Sequence, residues 1–231
     1  MGQIDYTPKH IGDIVFHSAA ERALIEGIAA GTIAFPQSGR NGIMLYGIYG
    51  TGKTTLARLL PDAIERGKGG DGSNYEFVPC GQGANGAVLM DKIRKIATPI
   101  SLTYSGYHYF VLDEVDLLTD AALASMKAVM NYPKTIFILT TNHISEIDKG
   151  VLDRCVRVNF NAAPAKEWLP FAQRVLHDCG AAPVSDDKLL PIIEGCKGSV
   201  RELVSSIQRL AAARGTNPPP AVHLTAHVLD N

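Results

Sequence analysis

Apolar positions recur along this chain in two rhythms, and the point where one gives way to the other divides it. Up to about residue 160, short apolar-rich runs appear at 42–46, 75–80, 108–112, 135–140 and 155–160, the second interrupted by Glu76 and the last by Arg157 and Asn159. An unbroken run of that length, bounded by glycine or polar residues, predicts a strand buried on both faces, as in a parallel sheet. Between the runs, apolar residues return at helical spacing over 53–66, 87–97 and 120–130. Ser18-Ala-Ala-Glu21 has capping-box spacing and opens a further helix to about Ala30, while 6–15 reads as an extended arm. Segments 36–41 and 67–73 are loops by composition. Strands alternating with helices predict an α/β layer fold with right-handed crossovers. Beyond Ala162-Ala-Pro164 every periodic segment is helical: 166–178, 185–194 and 199–214. The expected organisation is a core over 1–161, a small helical domain over 162–215 and a tail over 216–231.

Composition narrows the class. With 22 Lys and Arg against 23 Asp and Glu, the formal net charge of the 231 residues is −1. That excludes a uniformly basic protein that coats nucleic acid, and leaves room for one local basic face. The four cysteines are far apart and form no CxxC pair, so buried reduced thiols are expected rather than a zinc ribbon or redox dithiol. The seven histidines form no metal-ligand pattern, His223 and His227 lacking the glutamate of a zincin. Trp168 is read as a packing residue. No apolar stretch approaches the ~20 residues of a membrane span. The opening Met-Gly-Gln-Ile-Asp-Tyr lacks the basic and apolar regions of a secretory leader, so a cytoplasmic protein without a membrane partner is expected.

The chemistry is concentrated at the ends of three apolar runs. Gly47-Ile-Tyr-Gly-Thr-Gly-Lys53-Thr54 fits the phosphate-loop pattern and stands between a strand and a helix, as that motif requires. Its glycines let backbone N–H groups curl around a phosphate, Lys53 reaches the β- and γ-phosphates, and the Thr54 hydroxyl can hold Mg²⁺. The run 109–112 ends in Asp113 and Glu114, where open α/β sheets bind ligands. Asp113 is expected to assist the metal, directly or through water, and Glu114 to polarise the attacking water. Asp116 is read as a helix-start or surface residue. The third run ends in Thr140-Thr141-Asn142, and the neutral amide of Asn142 suits either a water-positioning group or a turn.

In this order, the phosphate loop, the Asp113-Glu114 pair, Asn142 and the helical domain resemble an AAA+ ATPase. Further words resemble sliding-clamp loader small subunits of the replication factor C and phage type. Tyr6-Thr-Pro8-Lys with Ile-Gly-Asp-Ile-Val15 resembles their N-terminal segment, and Asp113-Glu-Val-Asp-Leu-Leu resembles their acidic box. Val151-Leu-Asp-Arg154-Cys155 resembles the Ser-Arg-Cys motif, and Gly198-Ser-Val-Arg201-Glu-Leu the arginine motif called sensor 2. The resemblance implies a five-stranded sheet of order 5-1-4-3-2 and ATP with Mg²⁺ bound between the sheet and the helical domain. It implies nucleotide contacts from Tyr6, Pro8, Val15, Gly47, Tyr49, Gly50, Thr51, Gly52, Lys53, Thr54, Thr55 and Arg201. Thr54 and Asp113 would serve the metal, Asn142 and Arg201 would sense the γ-phosphate, and Arg154 would complete a neighbouring subunit's site. Asp153 departs from the motif's serine, and Ile48-Tyr49 from the common proline-rich loop interior.

Lys92, Arg94 and Lys95 lie on the helix after the second run, a region that tracks DNA in clamp loaders. Gly81-Gln-Gly-Ala-Asn-Gly86 has no aromatic residue of the kind unfoldases place in their pore loop. The helical collar of clamp loaders has no counterpart after the helical domain, so weak assembly without nucleotide or a partner is expected. The expected function is ATP hydrolysis by an oligomeric subunit that loads a sliding clamp onto DNA. Two alternatives stand beside it: a helicase loader or other DNA-associated regulator, and a nucleotide-binding scaffold without turnover.

Overall fold

The computed structural model describes residues 4–81 and 86–214; the loop segment 82–85 and the 216–231 tail considered above lie outside them. Five parallel strands form one sheet: β1 Gly42–Tyr46, β2 Tyr75–Pro79, β3 His108–Asp113, β4 Thr135–Thr141 and β5 Cys155–Asn159. Their spatial order is β2-β3-β4-β1-β5, the expected 5-1-4-3-2 read from the other edge. Every strand pair is parallel, so every C-terminal strand end lies along one edge of the sheet.

The unbroken apolar runs have the predicted cause. In β3, Tyr109 and Val111 face a layer that contains Ile25 and Ile28 of α1 (Ala19–Ala29) and Leu56 and Leu60 of α2 (Lys53–Gly67). Phe110 and Leu112 face the other way, toward Met90 and Ile93 of α3 (Gly86–Ala97) and Leu123 and Met126 of α4 (Asp120–Val129). Phe110 and Phe137 stack across adjacent strands, with centroids 5.2 Å apart and planes at 18°. Successive side chains of a strand point to opposite faces, so two covered faces leave no polar position in the centre.

Local differences have local reasons. Ile11–Asp13 makes a 3₁₀ turn inside the expected extended arm and packs on α2. Ser18 caps α1 by accepting from the Glu21 N–H at 3.3 Å, but the Glu21 carboxylate leaves the capping box and accepts from the Asn159 N–H at 3.1 Å. A short helix, α5 Lys149–Asp153, precedes β5. The expected single helix over 166–178 is a 3₁₀ turn, Ala165–Trp168, followed by α6 Leu169–Asp178 with Pro170 in its first turn. Pro170 has no N–H to donate and so suits a helix start. Two further helices are α7 Asp186–Gly195 and α8 Val200–Ala213.

The chain divides into two compact units. The first holds the sheet, ends at Pro164 and also includes Lys197–Val200. The second comprises Ala165–Cys196 and residues 201–214. Its described core is helical, with Ala172, Val175, Leu176, Leu189, Ile193, Leu203 and Ile207 buried. Gln173 ties it locally, its amide donating to the Val184 carbonyl at 2.5 Å.

Candidate functional site

The phosphate loop leaves β1 at the C-terminal edge of the sheet and turns into α2. Gly47, Gly50 and Gly52 have φ of 151°, 80° and 98°, values that favour glycine. A Cβ on Gly47 would come within 2.7 Å of the Phe160 backbone, and one on Gly50 within 2.9 Å of Ser199 Oγ. The loop is therefore held from several sides. Ile48 N–H donates to Asn161 Oδ1 at 3.0 Å, Val200 N–H to the Gly50 carbonyl at 3.0 Å, and Thr51 Oγ1 to the Ile48 carbonyl at 3.2 Å. No side chain caps α2 at Gly52, so its first N–H groups and the loop N–H groups share one cradle.

Lys53 is only 7% exposed, and its ammonium donates to the carbonyls of Gly47 at 2.8 Å and Ile48 at 2.6 Å. Burial draws its pKa down to about 8, against the upward pull of Asp116, Asp113 and Glu114. Three carboxylates thus bear on one lysine at the mouth of the cradle. Burial pushes the neighbouring Cys80 thiol up to about 12, reinforced by the same three acids. It is a protonated, packed thiol, and its backbone N–H donates to the Asp113 carbonyl at 2.8 Å.

The acidic pair is organised by a residue that no sequence motif marks. Thr140, buried at the end of β4, donates its hydroxyl to Asp113 Oδ1 at 2.6 Å and accepts the Glu114 N–H at 2.9 Å. Thr54 donates to the same Asp113 oxygen at 2.7 Å. Thr54, Asp113, Thr140 and Glu114 therefore form one continuous hydrogen-bonded chain across three elements. Glu114 adopts φ 59° and ψ 53°, a left-handed conformation unusual for a residue with a side chain, and its carboxylate is exposed. Asp116 is more than a surface residue, since its Oδ1 accepts from the Asn142 N–H at 3.4 Å. A β-strand threonine beside a pair of acids carries no sequence signature of its own; only the β3–β4 register, which pairs Leu112 with Leu139, brings it there.

The remaining candidates fall in different places. Tyr6, Pro8 and Val15 are half-buried, and Val15 lies between the buried Ile14 and Phe16. Phe16 meets Phe160 edge-on at 5.7 Å, beneath the phosphate loop. Thr55 follows Thr54 in the first turn of α2. Arg201 is exposed and belongs to the second unit. Arg154 lies at the opposite, N-terminal edge of the sheet, because Cys155 pairs with Gly42 at the start of β1. Its guanidinium is held by Asn131 Oδ1 at 3.0 Å and the Gly150 carbonyl at 2.7 Å. On α3, Lys92 is paired with Glu76 and Lys95 with Asp91, while Arg94 is exposed.

A parallel sheet with a phosphate loop after β1 and a carboxylate pair ending β3 defines a phosphate-loop nucleotide-binding fold. The chain belongs to the ATPase family associated with various cellular activities (AAA), whose model matches residues 43–162. It is 26% identical over 209 residues to replication factor C small subunit 2 of Pyrobaculum islandicum, covering 90% of this chain and 62% of that protein. It is 29% identical over 221 residues to replication factor C subunit 4 of Caenorhabditis elegans, covering 89% and 61%. The chain thus spans about three-fifths of the length of these relatives. Among solved structures, that of Caenorhabditis elegans PCH-2 shares the fold, with a TM-score of 0.52 at 14% identity over 88% of this chain and 72% of that one.

Proposed function

We propose that this chain is a Mg²⁺-dependent ATPase that works as one subunit of a clamp-loader-like oligomer on the DNA replication machinery. The hydrogen-bonded chain from Thr54 through Asp113 and Thr140 to the Glu114 N–H supports the reading, because it holds a hydroxyl and a carboxylate suited to Mg²⁺ beside the phosphate cradle and anchors the backbone of the acid assigned here as general base. The loop N–H groups bind phosphate oxygens and Lys53 adds its charge to the β- and γ-phosphates. Thr54 and Asp113 fit Mg²⁺, which prefers one or two protein oxygens with the rest of its shell from phosphate and water, and which neutralises phosphate charge when bound. Glu114 accepts a proton from the attacking water, Asn142 orients that water without adding negative charge, and Arg201 reads the γ-phosphate.

Arg154 serves a neighbour. The five residues of β1 put roughly 15 Å between the two sheet edges, so Arg154 does not reach the cradle of its own chain. The relatives named replication factor C support the replication setting, and a partner surface is available. Ile100 and Tyr104 are 92% and 76% exposed and Leu102 fully so, in the loop before β3. Exposed apolar side chains grouped in one loop support a protein contact there. The exposed Arg94 offers a DNA-phosphate contact.

The test compares ATP turnover and ATP binding in the unaltered chain and in Glu114→Gln, with and without primed DNA and clamp. Glu114→Gln should bind ATP and lose turnover by on the order of 10²–10⁴. Hydrolysis that persists in Glu114→Gln overturns the catalytic assignment. Turnover indifferent to DNA and clamp together overturns the clamp-loader setting.

A further inference from the structure

Beside the phosphate cradle two side chains meet that the mechanism above does not use. Tyr49, in the middle of the phosphate loop, is 63% exposed, and its phenol oxygen lies 3.1 Å from Nε2 of His143. The rings meet edge-on, with centroids 6.1 Å apart and planes at 70°. His143 is the residue after Asn142. Its N–H donates to Thr141 Oγ1 at 3.0 Å, and the Asn142 N–H reaches Asp116 Oδ1 at 3.4 Å. Thr140 and Thr141 are buried at the end of β4. Asn142 is therefore a one-residue bridge between a rigid strand end and an imidazole clipped to the phosphate loop.

We propose that the Tyr49–His143 pair is a positioning device that sets Asn142 against the terminal phosphate of a bound nucleotide, resting on the reading of Asn142 as the water-orienting group. Besides the clip, the backbone around Asn142 is held by β4, by Asp116 and by the turn that follows, where the Glu146 N–H donates to the His143 carbonyl at 3.0 Å. A water-orienting amide must keep its place to well under an ångström for the attack geometry to hold. The phenol–imidazole contact adds a side-chain anchor on the middle of the same loop that grips the phosphates. Position 49, which the resemblance places among the nucleotide contacts, suits this role because its phenol hydroxyl meets His143, while the cradle itself is backbone and glycine. Removing the phenol hydroxyl leaves the cradle intact, so the pair governs the chemical step and not the affinity.

The experiment uses Tyr49→Phe, His143→Ala, the double variant, and Tyr49→Phe in an Asn142→Ala background. ATP turnover, equilibrium binding of a non-hydrolysable ATP analogue and the ¹⁵N resonances of the His143 ring and the Asn142 amide are followed. Each single substitution should lower kcat about three- to tenfold, within the range of one hydrogen bond, and leave the analogue Kd within about twofold. The double variant should lose no more than the worse single one, and Tyr49→Phe should have no effect once Asn142 is alanine. Losses that multiply, or an effect that persists in Asn142→Ala, would show a separate structural role and overturn the proposal. The resonances keep it distinct from the ATPase assignment. If hydrolysis proves independent of Glu114, the analogue should still move the Asn142 amide in the unaltered chain and less in Tyr49→Phe. Equal movement in both chains overturns the clip by itself.

Discussion

The hydroxyl of Thr140 fixes two acids through two different atoms, giving its proton to Asp113 and taking one from the Glu114 backbone. Thr140→Val keeps the shape and removes both bonds. It leaves the Glu114 N–H unpaired at a left-handed residue, so unfolding should become easier by about 1–3 kcal/mol in urea melts. Turnover should fall more than ATP affinity, because the acids lose their alignment while the cradle is untouched. Lys53 gives a second signature. Its folded pKa of about 8 lies below the ordinary 10.5, so the unfolded chain binds more protons between those values. Stability without nucleotide should therefore rise as pH climbs through that window, and Lys53→Met should abolish the rise in pH-dependent melts. Sequence pattern reached Lys53, Asp113 and Glu114 because their types and spacing are constrained. It could not reach Thr140 or His143, whose partners lie on other elements.

At the scale of elements, α2 is anchored at both ends by different means. Its N-terminus follows the glycine loop; near its C-terminus the buried Glu65 accepts from Ser105 N–H at 2.8 Å, Ser105 Oγ at 2.6 Å and Tyr109 OH at 2.6 Å. Burial alone would push the Glu65 pKa up, but the bonds from Ser105 and Tyr109 outweigh it and hold the carboxyl below its ordinary range. Its stabilising contribution is present above the unfolded value near 4.5 and is lost as pH falls through the lower folded value. Glu65→Ala strands the Tyr109 and Ser105 donors and should cost about 2–4 kcal/mol by denaturant unfolding, loosening the α2–β3 contact without removing any phosphate ligand. The five strands and the long helices were legible from run length and periodicity. The short helix α5 was not, because five residues give too little periodicity, and the break before α6 is set by Pro170 rather than by any change in apolar spacing.

At the scale of the molecule, the decisive feature is which edge of the sheet each group occupies. Arg154 stands at the N-terminal edge and the cradle at the C-terminal edge, so in the proposed oligomer Arg154 serves the cradle of a neighbouring chain and not its own. Mixing Arg154→Ala chains with Glu114→Gln chains should restore turnover at interfaces that pair an intact Arg154 with an intact cradle. ATP hydrolysis measured across mixing ratios checks this, and full activity of Arg154→Ala alone at every concentration would refute it. The sequence by itself determined the layer fold, the phosphate loop and the acids that end β3, because strand burial and phosphate chemistry each restrict residue type at fixed spacing. The alignment of those groups was decided only by tertiary structure. Strand register brings Thr140 to the acids, Glu76 of β2 engages Lys92 of α3, and the Tyr49–His143 contact joins the loop to Asn142. Each of these depends on residues distant in the chain meeting at hydrogen-bond distance, and local sequence pattern carries no record of such a meeting.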